Sequence, residues 1–532
     1  MKILLVEPGY KNKYPPMGLM KISTYHKSKG DYVYFVKGKD KELCSEIWDR
    51  VYITTLFTFH YQTTVDTIRF YKKCVLSTDN IFVGGIMASL MPVDLKHDAG
   101  IKNVLVGQLT SSNFIGFDDD VNIDNLPLDY DILWDTDYKY PAGDNYFAYT
   151  TRGCPNKCSF CAVPLLEPEF KTINSITEQI ENTDKMYGQK RNLLLLDNNV
   201  LESDELSKIV DDIKKSGFYK GATFTYPNLF NILLSKALQN ANDGRYLKRL
   251  IDYLNDFKKF ITNPKSKAIY MLFIEELLAK EDVLTAILGN AEKINEYHER
   301  YKDKRQKLRY VDFNQGIDAR LLTEERMKKL SELPLNPLRI AFDHISQKDN
   351  YVRAVKLANK YGVNEMSNYI LYNHKDKPEH LWDRLKVNIE LNEELGVHIF
   401  SFPMKYMPID KTDREHIGIH WKRKYLSAIT AILLVTKGIV AGGTTFFEKA
   451  FGRNHEEYFN ILAMPRDFII YRYKYEGAGL TEQWHNAFNE LTQEEKDWLL
   501  DYVGSRVFVE IPNEVINSRL KKALEFYTIR LD

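Results

Sequence analysis

Three cysteines lie close together in the chain, at Cys154, Cys158 and Cys161. Their thiolates surround one short loop, and no fourth cysteine follows nearby. Cysteine thiolates hold iron-sulfur clusters, normally four to a cubane cluster, so three thiolates leave one iron open to another ligand. A zinc site would usually add a second Cys/His pair at a recognisable distance, and none follows. The spacing favours a three-thiolate cluster, with a zinc site or three structural thiols as the alternatives.

The segment 146–170 resembles the cluster loop of the radical S-adenosylmethionine (SAM) superfamily, because it carries the pattern C-x3-C-x-aromatic-C after a predicted strand. The resemblance implies that the three cysteines each ligate one iron of a 4Fe-4S cluster and that SAM chelates the fourth iron. It also implies one-electron cleavage of SAM to methionine and a 5′-deoxyadenosyl radical, which takes a hydrogen atom from a substrate. The aromatic position is Phe160, which in the superfamily lies beside the adenine. Packing within the loop is the simpler alternative role for Phe160.

The sequence pattern from about 141 to 410 predicts repeated strand-helix units. The family resemblance implies that these units form a partial (β/α)6 barrel of the TIM type, with reactive groups at the carboxyl ends of the strands. A much longer interval at 220–308 predicts a helical insertion that caps the barrel, and a structural or partner surface is the plainer role for it. After the cluster loop, the predicted strands start near 193 and 310 and then cover Leu338–Asp343, Asn368–Tyr372 and His398–Met404.

Polar residues at the predicted strand ends are candidates for binding SAM. The carboxylate and amides of the run 197–199 can accept hydrogen bonds from the SAM ammonium group, although a solvated turn with an Asn cap is the plainer interpretation. Arg320 could grip the SAM carboxylate through its planar fork, or it could pair with a neighbouring acid. No catalytic residue is identified. The cofactor-binding candidates are Phe160, Asp197, Asn198, Asn199, Gln315 and Arg320.

Residues 1 to about 140 alternate short apolar strands with helix-length spacers, which predicts parallel pairing in a doubly wound, Rossmann-like sheet. This part resembles the cobalamin-binding domain that precedes many radical SAM cores. The cobalt-ligating motif D-x-H-x-x-G is missing, so cobalamin binding and a domain kept for packing or substrate contact both stay open. The matching runs are Glu7-Pro8-Gly9, Pro15-Pro16-Met17-Gly18-Leu19, Val83-Gly84-Gly85-Ile86 and Asn125-Leu126-Pro127-Leu128-Asp129-Tyr130.

Two further cysteines, Cys44 and Cys74, raise the question of a second cluster. The loop after Cys161 continues with Val163-Pro164, which resembles tRNA methylthiotransferases. Those enzymes also carry three amino-terminal cysteines for an auxiliary cluster, and only two are present here. Buried single thiols are the favoured interpretation of Cys44 and Cys74.

Residues 411–532 predict a mainly helical C-terminal region, with helices over Trp421–Val435, Glu448–Met464, Thr481–Glu490, Thr492–Tyr502 and Glu514–Phe526. Lys+Arg and Asp+Glu number 73 each, so the net charge gives no sign of nucleic acid or an acidic membrane. No apolar run is long enough to span a bilayer, and no secretory signal is present. Exposed thiolate clusters survive best in a reducing compartment, so we expect a cytoplasmic protein.

The resemblance therefore implies a radical SAM enzyme that abstracts hydrogen from an unknown substrate and takes electrons from a donor such as flavodoxin or ferredoxin. A cobalamin-dependent methyltransferase is one alternative. A methylthiotransferase-like enzyme and a non-catalytic iron-sulfur scaffold, binding a partner through the insertion, are the others. The boundaries expected are 1–140 for the Rossmann-like domain, 141–410 for the barrel with its insertion at 220–308, and 411–532 for the helical domain.

Overall fold

The computed structural model describes residues 1–173, 176–505 and 517–531. The protein is α/β, with parallel sheets followed by a helical C-terminal region, which confirms the predicted class. We refer to residues 1–140 as the N-terminal segment, to 141–410 as the central segment and to the described residues after 410 as the C-terminal segment.

The N-terminal segment contains strands and helices in the alternating order that the sequence predicts. They are β1 (Lys2–Glu7), α1 (Met17–Ser28), β2 (Tyr32–Lys37), β3 (Arg50–Thr55), α2 (Tyr61–Tyr71), β4 (Ile81–Gly85), α3 (Ile86–Leu90), α4 (Pro92–Ala99) and β5 (Asn103–Val104).

These five strands form one parallel sheet in the order β2-β1-β3-β4-β5. Successive side chains of β1 enter different cores, since Leu5 packs on one face of the sheet and Leu4 on the other. Apolar side chains buried on both faces are typical of parallel strands. The predicted parallel pairing is confirmed.

The central segment contains short strands, two of which flank the cysteine loop. The strands are β6 (Tyr146–Ala148), β7 (Thr151–Arg152), β8 (Lys171–Thr172), β9 (Leu193–Leu195), β10 (Thr223–Phe224), β11 (Lys307–Leu308), β12 (Val311–Phe313), β13 (Leu338–Arg339), β14 (Glu365–Tyr372) and β15 (His398–Lys405). The helices between them are α5 (Val163–Leu166), α6 (Ile176–Tyr187), α7 (Leu206–Lys215), α8 (Phe230–Gln239), α9 (Gly244–Phe257), α10 (Pro264–Leu278), α11 (Val283–Gly289), α12 (Ala291–Tyr301), α13 (Glu324–Leu330), α14 (Lys348–Lys360) and α15 (Pro378–Leu395).

Six of these strands form two parallel sheets of three strands each, in the orders β12-β9-β6 and β13-β14-β15. An isolated parallel bridge between Ile317 and Ile340 connects the ends of the two sheets. One hydrophobic core spans both sheets, with Leu193 of the first and Ile399 of the second fully or almost fully buried. The six predicted strands are therefore present, and they share one core although they do not form one continuous sheet.

The helical insertion leaves the central segment at the antiparallel pair β10–β11. Its helices contact the N-terminal segment, where the Lys236 ammonium lies 2.8 Å from the Asp131 carboxylate. Arg245 and Arg249 lie 3.0 and 2.6 Å from the two oxygens of Asp135. These contacts attach the insertion to the N-terminal segment, and its role as a cap on the barrel stays a prediction. Sequence patterns predicted the helices, but the partner of their charged face lies more than a hundred residues earlier in the chain.

Cys44 and Cys74 are joined by a disulfide bond, with their Cα atoms 5.0 Å apart. The prediction of two separate buried thiols is therefore wrong. The two cysteines lie 30 residues apart in the chain, in different turns of the N-terminal segment, and only the folded sheet brings these turns together.

The C-terminal segment is mainly helical over its described residues. Its helices are α16 (Arg423–Val435), α17 (Thr444–Phe451), α18 (His455–Ala463), α19 (Arg466–Ile470), α20 (Arg472–Gly477), α21 (Leu480–Asn489), α22 (Gln493–Gly504) and α23 (Ser518–Glu525). The predicted helix over 448–464 is two helices separated at Gly452, and the start of the predicted helix at 514 lies outside the described residues. None of the helices in the described ranges is long and apolar enough to cross a bilayer.

Removing the Asp135 carboxylate should destabilise the contact between the insertion and the N-terminal segment. In Asp135→Ala, the Arg249 guanidinium stays buried and loses its partner, which typically costs about 3–5 kcal/mol. We expect the urea midpoint to fall and α9 to become sensitive to limited proteolysis. Asp256→Ala is the matched control, because that carboxylate is exposed and pairs only with Lys259. Equal midpoints for the two variants would contradict the buried role of Asp135.

Candidate cluster-binding site

The three cysteines lie in a loop between β7 and β8, which pair antiparallel and hold the two ends of the loop together. All three thiols are free and half-buried. The Cys161 amide donates to the Cys158 carbonyl at 3.0 Å, which closes the second turn of the loop. Gly153 begins the loop with a φ of 74°, and a Cβ there would lie 2.2 Å from the Glu169 carbonyl oxygen. Only glycine fits this position.

Glu167 fixes the start of the cysteine loop through its carboxylate. Its Oε2 accepts hydrogen bonds from the Gly153 amide at 2.8 Å and from Asn198 Nδ2 at 2.9 Å. Its Oε1 lies 3.0 Å from the Arg152 guanidinium, which also pairs with Asp124 of the N-terminal segment at 3.2 Å. Asn198 therefore helps to hold the loop. No sequence pattern identified Glu167, because the β7–β8 pairing alone brings it to Gly153.

Asp197 is almost fully buried behind the cysteine loop. Its Oδ1 accepts four hydrogen bonds, from the amide and hydroxyl groups of Thr150 and Thr151. Burial raises the pKa of Asp197, and the hydrogen bonds from both threonines oppose that rise. Asp197 thus holds the turn between β6 and β7. Among the described residues, its other oxygen, Oδ2, has no hydrogen-bond partner.

Asn199 lies beside the first cysteine, with its Nδ2 3.8 Å from the Cys154 sulfur. Its Oδ1 is buried and, like Asp197 Oδ2, meets no donor in the described part of the chain. Buried acceptors without a donor are rare and call for an explanation, such as a group absent from the coordinates. Two such acceptors next to the cysteine loop are consistent with a bound donor, such as an ammonium group.

Arg320 pairs with Asp318 through a bidentate contact, with its Nε 2.9 Å from the Asp318 Oδ1. This is the simpler of the two roles that the sequence allowed. The guanidinium is half-exposed. Burial raises the pKa of Cys158, and the nearby Arg320 opposes that rise. Gln315 follows β12 and its side chain is exposed. The SAM-binding roles of both residues stay predictions.

Phe160 contacts His374 edge to face, with ring centroids 5.8 Å apart. The His374 ring also meets Tyr406 at 4.5 Å, and its Nε2 lies 3.5 Å from the Ser159 hydroxyl. No pattern in the sequence placed His374 at the cysteine loop, since it follows β14, more than two hundred residues after Phe160. The rule that reactive groups lie at the carboxyl ends of barrel strands was the available signal, because His374 comes two residues after the end of β14.

The electrostatic surroundings of the loop are anionic. Burial raises the pKa of Cys158, and the nearby Cys161 and Asp343 raise it further. Burial also raises the pKa of Cys161 and that of Asp343, the latter to about 6. Iron binds thiolates, so formation of a cluster here must release protons from these cysteines.

The donor set fits a 4Fe-4S cluster with one open iron. A cubane cluster takes one thiolate per iron, so its ligands need not converge on a single ion. Consistently, no three metal-ligating side chains in the described ranges converge on one ion. Three free thiols on one loop, next to two buried acceptors without donors, provide what the cluster and its non-protein ligand would need.

Cobalamin receives no such support from the N-terminal segment. The histidine at the carboxyl edge of its sheet is His60, whose ring stacks face to face on Tyr10 at 4.6 Å. Burial lowers the pKa of His60, and Arg414 lowers it further. These residues fit the stacking of a planar ring better than the ligation of cobalt.

Comparison with known proteins gives one partial match. The chain is 29% identical over 128 residues to the ribosomal protein uS12 methylthiotransferase RimO of Campylobacter fetus subsp. fetus (strain 82-40). The match covers 21% of this chain and 29% of the relative's own length. No protein-family model matches. RimO belongs to the radical SAM superfamily, so the similarity supports a relationship at that level at most.

Replacing one cluster ligand should abolish iron binding. In Cys158→Ala, two thiolates remain, and we expect iron and acid-labile sulfide to fall to background after anaerobic reconstitution. Ser159→Ala is the matched control, because it changes the adjacent residue and removes no ligand. Iron content equal to wild type in Cys158→Ala would exclude Cys158 as a ligand.

Proposed function

We propose that the protein is a radical SAM enzyme with its cluster on Cys154, Cys158 and Cys161. The observation that carries the proposal is the position of three free thiols beside the buried acceptors Asp197 Oδ2 and Asn199 Oδ1, which have no donor in the described ranges. The partial similarity to a radical SAM methylthiotransferase supports the same chemistry. When bound, the cluster supplies the electron that cleaves SAM to a 5′-deoxyadenosyl radical, which abstracts hydrogen from the substrate.

The residues of the chain bind and orient SAM in this proposal. Asp197 Oδ2 and Asn199 Oδ1 accept hydrogen bonds from the SAM ammonium group, since both are buried acceptors in need of a donor. Arg320 uses its Nε and Nη2 on Asp318, which leaves Nη1 for the SAM carboxylate. Phe160 lies against the adenine, with His374 behind it. A small redox protein such as flavodoxin or ferredoxin supplies the electron.

Methylthio transfer is the second candidate, because the partial match is to a methylthiotransferase. The number of available thiols argues against methylthio transfer. The resemblance described above calls for three amino-terminal cysteines, whereas the N-terminal segment has two, and both are engaged in a disulfide bond. The partial match therefore favours methylthio transfer, whereas the number of amino-terminal cysteines argues against it. The iron content per chain distinguishes the two candidate functions.

The first test is product analysis under anaerobic reduction with SAM. We expect the reconstituted protein to form 5′-deoxyadenosine and methionine, and Cys158→Ala to form neither. S-adenosylhomocysteine as the main nucleoside product would indicate methyl transfer instead. Absence of both nucleosides from a protein with full cluster content would favour the non-catalytic scaffold.

The SAM-binding roles of Asp197 and Arg320 can be separated from their structural roles. Asp197→Asn keeps an Oδ1 acceptor for Thr150 and Thr151 and places an amide donor at Oδ2, so the turn should survive while an ammonium is repelled. Arg320→Ala removes a half-exposed side chain. Each variant should keep its cluster and bind SAM about tenfold to a hundredfold more weakly by calorimetry. Unchanged affinity would remove that residue from the site.

The second candidate is tested through Cys44 and Cys74. The double variant Cys44→Ala/Cys74→Ala should keep the wild-type iron content of about four per chain, the content of one cubane cluster. Both proteins are reconstituted under reducing conditions, so that the disulfide does not mask the thiols. A fall from about eight irons in wild type to about four in the variant would support an auxiliary cluster and methylthio transfer.

A further inference from the structure

The order of strands in the N-terminal sheet creates a crevice between β1 and β3. After β1 the chain adds β2 on one side of β1, and it then places β3, β4 and β5 on the other side, so the strand order reverses between β1 and β3. Open α/β sheets bind ligands at such a switch point, outside the carboxyl ends of the strands. The residues that follow β1 and β3 there are aromatic. Tyr10 stacks on His60 with centroids 4.6 Å apart, and Phe57 stacks on Phe59 at 5.0 Å. Phe57 is about half-exposed, so one aromatic face is open to a ligand.

The loop that follows β15 connects this crevice to the cysteine loop, and we name residues 406–418 the bridging loop. Its Arg414 guanidinium lies over the Phe59 ring at 4.1 Å. Its Tyr406 contacts both His416 and His374, and His374 in turn contacts Phe160. The bridging loop therefore contributes rings at the cysteine loop and a guanidinium at the sheet crevice, and we call these side chains the aromatic wall: Phe57, Phe59, Phe160, His374, Tyr406, Arg414 and His416.

Asn373 holds both ends of the bridging loop. It is fully buried in the left-handed region at φ 69°, which asparagine tolerates. Its Nδ2 donates to the Tyr406 and His416 carbonyls at 3.2 and 3.0 Å, and its Oδ1 accepts from the Gly418 amide at 2.8 Å. A Cβ on Gly418 would lie 2.7 Å from the His374 carbonyl oxygen. The aromatic wall is thus preformed.

Arg414 offers an unpaired cation at the crevice end of the bridging loop. Its guanidinium makes no hydrogen bond or ion pair with any described residue, and its carbonyl accepts a hydrogen bond from Lys405 at 3.2 Å. Glu415 is paired with Arg423 at 2.7 Å, and Asp410 and Asp413 lie on the same loop, so the loop as a whole is not cationic. A guanidinium without a partner can form a charge-assisted pair with an anion.

We propose, on the basis of the proposed function, that the aromatic wall binds the substrate and that the substrate carries a planar aromatic or heteroaromatic ring together with an anionic group. The ring stacks on the open face of Phe57, and the anion pairs with Arg414. Offset stacking on aromatic side chains selects planar groups, and a guanidinium selects carboxylate or phosphate. Contact through Tyr406 and His374 places this substrate next to the cysteine loop.

Ligand binding tests the proposal without knowledge of the natural substrate. The probes are naphthoate, a planar aromatic carboxylate, and its neutral analogue naphthamide, both followed by fluorescence with the reconstituted protein. We expect wild type to prefer naphthoate. Arg414→Gln should weaken naphthoate about tenfold to a hundredfold and leave naphthamide unchanged. Phe57→Leu should weaken both probes. Arg453→Gln is the matched control, because this exposed arginine pairs with Glu457 in the C-terminal segment.

Equal affinity of wild type for the two probes, or an equal loss in Arg414→Gln and Arg453→Gln, would overturn the proposal. The 5′-deoxyadenosine assay on the same preparations separates the two hypotheses. If naphthoate binding depends on Arg414 and no 5′-deoxyadenosine forms, the aromatic site stands and the proposed function fails. If 5′-deoxyadenosine forms and naphthoate binds Arg414→Gln as tightly as wild type, the proposed aromatic site is wrong and the proposed radical SAM function stands.

Discussion

The position of the cysteine loop depends on the buried carboxylate of Asp197. One oxygen of this group accepts hydrogen bonds from two consecutive amides and two hydroxyls, at Thr150 and Thr151. These contacts fix the turn that connects β6 to β7, and β7 leads directly into Gly153 and Cys154. A carboxylate that accepts several hydrogen bonds can stay charged although it is buried. The strand β9, which carries Asp197 at its carboxyl end, therefore determines where the first thiol lies.

A second set of buried charges holds the N-terminal segment against the rest of the chain. Asp124 pairs with Arg152 beside the cysteine loop, and Asp131 and Asp135 pair with lysine and arginine side chains of the insertion. Buried ion pairs contribute little net stability, but they strongly penalise arrangements that leave one partner alone. We infer that these pairs specify the orientation of the N-terminal segment. Such a fixed orientation is needed if the aromatic wall is to connect its sheet to the cysteine loop.

The sequence predicted those features that depend on neighbouring residues. Cysteine spacing predicted the loop, and apolar runs predicted the strands, because both patterns are local. Contacts between distant parts of the chain were not predictable in the same way. The Cys44–Cys74 disulfide, the role of Glu167 at Gly153 and the place of His374 beside Phe160 all require the folded sheets. The insertion shows the same limit, since its helices were predicted and the surface that they contact was not.

The buried acceptors bear on the choice between an enzyme and a scaffold. A buried acceptor without a donor costs about 1–3 kcal/mol. Among the described residues, Asp197 Oδ2 and Asn199 Oδ1 are two such acceptors, and Asn199 lies beside Cys154. A non-catalytic scaffold needs only the thiols, and unsatisfied acceptors would destabilise it without any benefit. In a site that binds a hydrogen-bond donor, the acceptors become satisfied when the ligand binds, and this gain in free energy contributes to the affinity for the ligand. The pairing of unsatisfied acceptors with free thiols therefore favours a binding site for a small molecule at the cysteine loop over a purely structural cluster.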